Sequence, residues 1–196
     1  MSKKKLFIIG SGGHASACID LIESINSFKI VGIFSDDKKI KKKFSYSVIG
    51  TTKDIFKYKK ITNNVVLGFG SIYNLKKRHN IYLKLKKAGF KFPTIISKKS
   101  HISDRSKILE GSQIFHNCTV NAGSIISENC ILNNNSLIDH DCKINENVHI
   151  STGVTLNGTV IVNKNSFIGS GSVIRDNIKI KSNSFIKMGT VIKNNV

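Results

Sequence analysis

The sequence has few acidic residues, few arginines and no long apolar run. It contains 31 Lys and Arg against 12 Asp and Glu, and arginine occurs only at Arg78, Arg105 and Arg175. Because arginine is the residue suited to bidentate phosphate recognition, we attribute the abundant lysine and asparagine to overall composition and expect no nucleic-acid partner. The apolar stretch that follows Lys3–Lys5 ends at Ile9, too short for a signal-peptide core or a membrane span. We therefore expect a cytoplasmic protein with no membrane partner.

The second half of the chain carries a repeat of six residues. Every sixth residue from Ile102 to Ile192 is Ile, Leu or Val, and a small or β-branched residue follows each by four positions. Neither an α-helix nor a β-hairpin keeps one apolar position in six on the same side, whereas a parallel β-helix with three such hexads per turn does. The repeat therefore predicts a β-helix over residues 101–196, in which residues one turn apart stack roughly 4.8 Å from each other.

The cysteine and histidine spacings do not indicate a disulfide or a metal site. Cys118, Cys130 and Cys142 occupy the small-residue position at intervals of 12, which places them at three different corners, and we expect structural cysteines in a reducing compartment. His116, His140 and His149 could bind zinc only between subunits of a trimer. They lack a closely spaced ligand pair, so we expect no metal.

The first half of the chain alternates between strand and helix patterns. Apolar runs at residues 5–9, 29–34, 65–69 and 90–96 predict strands, and two amphipathic stretches, one after Gly12 and one over about 72–88, predict helices. This alternation predicts a Rossmann-like α/β domain over residues 1–100, with ligands bound at the carboxyl ends of its parallel strands.

Three predicted loops at that edge carry candidate substrate-binding residues. The GSGGHA run from Gly10 to Ala15 fits the dinucleotide-binding fingerprint, and Asp36 lies at the distance expected for a ribose contact. The domain has room for one mononucleotide-binding half, so a phosphate or a sugar nucleotide fits better than NAD. The candidates are Gly12, Gly13, His14, Asp36, Asp37 and Gly70 of the Gly70-Ser71 loop. The alternative is that the glycines only form a tight turn.

His140 is the candidate general base. It stands at an outward position between Asp139 and Asp141, and a neighbouring carboxylate can orient an imidazole and raise its basicity. Eighteen residues before and after it are Ala122 and Gly158, which would leave a groove for an extended thioester arm. Ser170 and Met188 form another such column, whose backbone groups could bind the same arm. The sequence leaves open which aspartate pairs with the ring, and a solvated surface histidine is the alternative.

The GSGGHA loop, Asp36-Asp37, the IDHDC segment at 138–142 and the NVHISTGVTLNG segment at 147–158 together resemble one family. It is the bacterial sugar-nucleotide acetyltransferases, which include bacillosamine-pathway N-acetyltransferases and sialic-acid O-acetyltransferases. The resemblance implies a left-handed β-helix and a homotrimer with acetyl-CoA at its subunit interfaces. It also implies that His140 deprotonates the acceptor amine, that Asp141 raises its basicity, and that acetyl-CoA contacts His149, Gly158, Ser170 and Met188. The N-terminal loops would hold the uridine nucleotide.

These observations favour an acetyl-CoA-dependent N-acetyltransferase. Its expected substrate is a nucleotide-linked sugar, of the UDP-4-amino-4,6-dideoxy type, used in surface-glycan synthesis. O-acetylation of sialic acid or a related sugar is the nearest alternative, because a hydroxyl acceptor needs the same base. From a different class, the chain could be a non-catalytic accessory module for a glycan-synthesis partner.

Overall fold

A computed structural model describes residues 3–70 and 75–196. The chain forms two compact units, one of Met1–Gly70 and Asn80–Pro93 and the other of Ser71–His79 and Thr94–Val196. No helix within the described residues has both the length and the apolarity needed to cross a membrane.

The first unit contains a five-stranded sheet with strand order β3-β4-β2-β1-β5. Its strands are β1 (Lys4–Ile9), β2 (Phe28–Phe34), β3 (Lys42–Lys43), β4 (Tyr46–Gly50) and β5 (Val65–Leu67). β1, β2, β4 and β5 run parallel, and only β3 is antiparallel to its neighbour. Helix α1 (Gly13–Ile25), a 3-10 helix (Thr52–Tyr58) and the part of α2 (Leu75–Lys87) that follows His79 complete the elements of this unit. The central strand β1 is buried from Leu6 to Ile9, as expected for a parallel strand covered on both faces.

The turn after β1 requires glycine at Gly10. Its φ is +106°, and a Cβ there would lie 2.8 Å from the carbonyl oxygen of Gly68, so no other residue fits between the ends of β1 and β5. The predicted Rossmann-like alternation of strand and helix is therefore present, with the loops after β1 and β2 at the carboxyl edge of the sheet. The β3–β4 hairpin was not predicted, because its lysine-rich sequence has no alternation of apolar residues.

The strand predicted near residues 90–96 is wrong. Lys91 forms only an isolated bridge with Asn64, whereas Ile95–Ile96 forms β6 and pairs with β9 of the second unit. Pro93 separates the two, because proline has no N–H to donate to a sheet. The β-helix consequently begins one strand before the predicted start at residue 101. The predicted helix over 72–88 is observed as α2, and its first predicted residues, 72–74, lie outside the described part of the chain.

The second unit is a parallel β-helix of two-residue strands. The strands are stacked into three sheets, with orders β22-β19-β16-β13-β10-β7, β20-β17-β14-β11-β8 and β21-β18-β15-β12-β9-β6. They are β6 (Ile95–Ile96), β7 (His101–Ile102), β8 (Lys107–Ile108), β9 (Gln113–Ile114), β10 (Thr119–Val120), β11 (Ile125–Ile126), β12 (Ile131–Leu132), β13 (Leu137–Ile138), β14 (Lys143–Ile144), β15 (His149–Ile150), β16 (Thr155–Leu156), β17 (Ile161–Val162), β18 (Phe167–Ile168), β19 (Val173–Ile174), β20 (Lys179–Ile180), β21 (Phe185–Ile186) and β22 (Val191–Ile192).

In this β-helix each strand residue pairs with the residue 18 positions later in the chain. Val120 pairs with Ile138, and Ile138 pairs with Leu156. The second residue of each strand points inward, and these aliphatic side chains form one continuous core from Ile114 to Ile186. The columns derived from the sequence are therefore the columns of the structure.

Many of the corners are formed by asparagine, and others by glycine. Backbone φ is positive, near +57° to +62°, at one corner residue in most hexads, a conformation that asparagine and aspartate tolerate better than other side chains. These residues are Asn117, Asn129, Asn135, Asp141, Asn147, Thr159, Asn165, Asn177 and Asn183. Neighbouring asparagines are also joined along the axis, since the Nδ2 of Asn129 donates to Asn147 Oδ1 and that of Asn147 to Asn165 Oδ1, both at 2.9 Å. The asparagine content thus has a structural cause that composition alone did not indicate.

Three of the four cysteines fill corners of the core. Cys118, Cys130 and Cys142 lie at corners of the β-helix and Cys18 lies in α1; all four are buried and none forms a disulfide. Burial raises the pKa of the Cys130 thiol to about 12. A thiol with that pKa is protonated at neutral pH, so Cys130 packs as a small apolar side chain.

Replacing one core residue in the middle of the stack should destabilise the β-helix. Leu156 is fully buried, and Leu156→Ala should lower the free energy of unfolding by about 2–5 kcal/mol through lost burial and the cavity left behind. Lys143→Ala, at an exposed outward position, should change it by less than about 0.5 kcal/mol. Urea denaturation followed by circular dichroism measures both, and equal effects would contradict the assignment of inward and outward faces.

Candidate active site

His140 lies on an exposed turn between β13 and β14. Its side chain is 58% exposed, and its Nδ1 is 2.9 Å from Oδ2 of Asp141. Asp139 has a different role, because its Oδ1 accepts a hydrogen bond from the backbone N–H of His140 at 2.8 Å and one from Nδ2 of Asn121 at 2.9 Å. Asp141 is therefore the carboxylate paired with the ring, and Asp139 holds the turn.

Two glycines make room for this pair. A Cβ on Gly158 would lie 2.5 Å from Nε2 of His140, and a Cβ on Gly123 would lie 2.1 Å from Oδ1 of Asp141. The imidazole thus occupies the space above Gly158, and the carboxylate occupies the space beside Gly123. Gly158 was expected in this position. Asn121 and Gly123 were missed, although the same 18-residue step from Asp139 and Asp141 leads to both.

The two aspartates favour the charged form of the His140 imidazole. The hydrogen bond to Asp141, followed by the negative charge of Asp139, raises the pKa of His140 above its ordinary value. The hydrogen bonds from Asn121 and from the His140 backbone lower the pKa of Asp139, so it stays ionised. Because Oδ2 of Asp141 accepts the hydrogen bond at Nδ1, the neutral ring carries its proton on that nitrogen, and Nε2 is left as the acceptor.

A shallow groove of about 350 Å³ lies beside the ring. Polar side chains line most of it, and within the groove the Oγ1 of Thr159 donates to Oδ1 of Asn177 at 2.7 Å. The lining residues are Asp139, His140, Asn157, Gly158, Thr159, Asp176 and Asn177. The groove is open to solvent and begins at the nitrogen that can accept a proton.

The other residues expected to contact acetyl-CoA, namely Ser170, Met188 and His149, lie away from the His140 turn in the structure. Ser170 and Met188 stack at the corner that follows β18 and β21, where the N–H of Gly189 donates to the Ser170 carbonyl at 2.8 Å and Met188 is 77% exposed. His149 lies on β15, is 4% exposed, and packs edge-on against Phe167 with ring centroids 5.1 Å apart. Of the four predicted residues, the structure brings only Gly158 next to His140, the candidate base.

The candidate substrate loops of the first unit lie at the carboxyl edge of its sheet. Gly12 caps helix α1 and Gly13 begins it, and a Cβ on either would meet nothing within 4 Å, so the backbone there is open. His14 follows in the first turn of the helix, partly buried. The Ser11 and Ser35 hydroxyls are 2.6 Å apart and join the loops that follow β1 and β2. Gly70 is the last described residue of the third loop, and Ser71 lies outside the described residues.

The aspartates of the second loop are engaged within the unit. Asp36 accepts hydrogen bonds from the backbone N–H of Thr52 at 2.9 Å and from its hydroxyl at 3.0 Å. Oδ1 of Asp37 accepts from the N–H of Lys39 at 2.9 Å. In this conformation both carboxylates shape the loop, and a ribose contact by Asp36 would have to share these acceptors.

In the described part of the chain, no group of three or more His, Cys, Asp and Glu is arranged to hold a metal ion. The histidines considered for zinc have other contacts: Nδ1 of His116 lies 2.7 Å from the Ser97 hydroxyl, and that of His140 contacts Asp141.

Comparison with known proteins agrees with this fold. A model of the PglD N-terminal domain family matches residues 5–85. No curated protein matches the sequence significantly. Among solved structures, the acetyltransferase domain of PglB from Neisseria gonorrhoeae FA1090, in complex with acetyl coenzyme A, is 28% identical with a TM-score of 0.90, and the match covers 100% of this chain and 93% of that chain. This match supports an acyltransferase, similar over its whole length to the acetyltransferase domain of PglB.

Two further structures share the fold of this acetyltransferase. PerB from Caulobacter crescentus, solved with CoA and GDP-perosamine, is 21% identical with a TM-score of 0.92, and the match covers 100% of this chain and 91% of PerB. WeeI from Acinetobacter baumannii AYE is 21% identical with a TM-score of 0.81, covering 99% and 93% of the two chains. The predicted left-handed β-helix preceded by a Rossmann-like region is thus the fold of the acetyltransferase.

Removing the charge of Asp141 should lower the pKa of His140. In Asp141→Asn the ring loses its strongest stabilisation of the charged form, so the imidazole should titrate at a lower pH than in the wild type. Asp104→Asn, an exposed aspartate elsewhere on the β-helix, is the control and should leave the titration unchanged. NMR titration of the imidazole protons, with His140→Asn to assign the signal among the six histidines, makes the measurement. An unchanged pKa in Asp141→Asn would show that the hydrogen bond to the ring is absent in solution.

Proposed function

We propose that the chain transfers the acetyl group of acetyl-CoA to the amino group of a nucleotide-linked sugar, with His140 as general base. The observation that carries this proposal is an exposed imidazole whose Nδ1 is paired with Asp141 and whose Nε2 opens above Gly158 into a groove. The PglB acetyltransferase domain, 28% identical over the whole chain, binds acetyl-CoA, which supports the donor. PerB binds GDP-perosamine, which supports a nucleotide sugar as the acceptor class.

The arrangement performs the reaction through one nitrogen. Nε2 of His140 takes a proton from the acceptor amine as the amine nitrogen attacks the thioester carbonyl, and Asp141 stabilises the imidazolium that forms. The tetrahedral intermediate then collapses, the carbon–sulfur bond breaks, and the imidazolium returns the proton to the departing thiolate. The products are the amide and free CoA, and the ring ends in its starting state. Asp139 holds the turn through the backbone N–H of His140 and keeps Nε2 directed at the groove.

The acetyl-CoA site we propose is formed between subunits of a homotrimer. Ser170 and Met188 lie at a different corner of the triangular helix from His140, so they could line the same groove only if a second copy supplied them. Gly158 would border the thioester from the subunit that carries the base. We assign His149 a supporting role at its face, because only 4% of it is exposed.

We further propose that the first unit binds the nucleotide. The open backbone at Gly12 and Gly13 stands at the amino end of α1, where N–H groups favour a phosphate, and His14 follows in the first turn of the helix. Gly70 would border the same edge, while Asp36 and Asp37 hold the intervening loop. A UDP-4-amino-4,6-dideoxy sugar for surface-glycan synthesis is the substrate we expect, in the cytoplasm.

A thiol-release assay tests the activity. Purified protein is incubated with acetyl-CoA and a panel of UDP-, GDP- and CMP-linked amino sugars, with free sialic acid included. His140→Asn should reduce turnover about 10²- to 10⁴-fold because the base is lost, whereas His101→Asn, an exposed histidine of the same β-helix, should not. Release with sialic acid alone would move the assignment to O-acetylation, and no release with any acceptor would favour the accessory role.

A single added methyl group at Gly158 should impair the site without unfolding it. In Gly158→Ala the new Cβ would overlap Nε2 of His140, and because the φ of Gly158 is outside the left-handed region the backbone can accept alanine. We expect turnover to fall at least about tenfold, while the melting temperature changes by no more than about 4 °C. The assay above and thermal denaturation give both values. Full activity in Gly158→Ala would mean that the imidazole turns away from Gly158 during the reaction.

A further inference from the structure

A basic surface with one exposed aromatic side chain lies at the amino-terminal edge of the sheet in the first unit. β1, β2 and β4 run parallel, so the residues that begin them, Lys4, Phe28 and Tyr46, face the same edge. The two-residue loop of the β3–β4 hairpin, Phe44-Ser45, immediately precedes Tyr46 and therefore extends toward that edge. We call this surface the basic edge, comprising Lys3, Lys4, Lys29, Lys42, Lys43 and Phe44.

The lysines of the basic edge are not neutralised by acidic neighbours. Apart from Lys43, which is partly buried, all of them are exposed, and Lys38, Lys39 and Lys41 add further exposed charge just before the hairpin. None of these lysines takes part in an ion pair within the described residues. Lys3 Nζ donates to Oδ1 of Asn26, and a nearby carboxylate, that of Glu23, accepts a hydrogen bond from the Tyr46 hydroxyl at 2.8 Å.

A pocket of about 350 Å³ opens on this edge. Its charged lining residues are Lys3, Lys29 and Glu23, with Asn26 and Tyr46 as polar neighbours. The two ammonium groups and the amide suit one phosphate-bearing head group, while the Glu23 carboxylate accepts the hydrogen bond of the Tyr46 hydroxyl. The pocket lies at the opposite edge of the sheet from the loops at Gly12 and Asp36, so an occupant would leave those loops open.

Phe44 occupies a position that its own side chain disfavours. Its φ is +51°, and it is the first loop residue of a two-residue hairpin, where the common turns need glycine, asparagine or aspartate. Every other non-glycine residue with positive φ in the described chain is Asn, Asp or Thr. Phe44 is also 62% exposed, so little packing offsets the strain. A residue that is strained and packs little against the folded chain indicates a role in binding another molecule.

We propose that the basic edge docks the protein on a membrane surface rich in anionic phospholipid, with Phe44 inserted at the level of the head groups. Lysines attract such a surface, and an aromatic side chain at a loop tip adds apolar contact at the interface. A surface built to read nucleic-acid phosphates would favour arginine, and the basic edge has none. The expectation of no membrane partner rested on the lack of a long apolar run, and the described residues contain no spanning helix. Neither observation bears on this contact, because peripheral docking needs no spanning segment.

Tryptophan fluorescence provides the first test. Because the sequence has no tryptophan, Phe44→Trp creates a single reporter at the hairpin tip. Its emission should shift to the blue when vesicles of phosphatidylcholine with about one third phosphatidylglycerol are added at physiological ionic strength, and should not shift with pure phosphatidylcholine. An unshifted emission with both vesicles would overturn the proposal.

Co-sedimentation of the unlabelled protein with the same vesicles separates the two contributions. Lys42→Glu with Lys43→Glu should weaken binding more than about twentyfold, since each lysine near an anionic surface strengthens binding roughly fivefold. Lys98→Glu with Lys99→Glu makes the same change of charge at exposed positions of the other unit and should have a much smaller effect. Equal losses in the two double variants would mean attraction by net charge alone and would contradict a docking surface.

Phe44→Gly distinguishes a docking residue from a structural one. Glycine relieves the positive φ, so the variant should melt about 2–4 °C higher than the wild type while binding the anionic vesicles less. A lower melting temperature would show that Phe44 packs in the fold instead. Vesicle binding equal to that of the wild type would exclude its insertion, and preferential binding to a DNA duplex at the same ionic strength would assign the surface to nucleic acid.

Discussion

The structure of this acetyltransferase depends on the parallel backbone hydrogen bonds that repeat every 18 residues in its second unit. The N–H of Ile125 donates to the carbonyl of Cys142 at 2.9 Å, and the same step recurs from coil to coil. Because a strand here is only two residues long, no single strand could hold its place alone. The stacked aliphatic core and the corner residues keep the register, and the register places every outward side chain, including His140.

The turn that carries His140 shows how such a scaffold can form a candidate site. A corner residue, Asp141, adopts a positive φ as the equivalent asparagines do, but its carboxylate also contacts the neighbouring imidazole. Asp139, in the same turn, is held by Asn121 of the coil before it. The elements that build a corner elsewhere in the helix therefore also orient the His140 ring, and these contacts need no long loop or inserted domain.

Much of this could be predicted because period and position are linked in a β-helix. The six-residue repeat predicted the core, and the 18-residue step correctly predicted that Gly158 stacks on His140. The step could not show which aspartate bonds to the ring, because that depends on side-chain torsions within one turn. The strand predicted near residues 90–96 was misassigned to the first unit. The apolar run around Pro93 does not indicate whether the residues after the proline pair with the sheet of the first unit or with the β-helix. The β3–β4 hairpin was missed because its residues lie mostly at the surface, so its sequence lacks the apolar alternation by which a strand packed on a core is recognised.

Gly123 and Gly158 make the site sensitive to substitution at two positions that carry no side chain. Active sites are commonly described by the groups that they present, yet the space for this dyad is defined by two side chains that are missing. Every substitution at either position adds atoms where the imidazole or its carboxylate now lies. Although neither glycine takes part in chemistry, we therefore expect both positions to tolerate as few substitutions as His140 in active variants. A search for the site by reactive residues alone would overlook them.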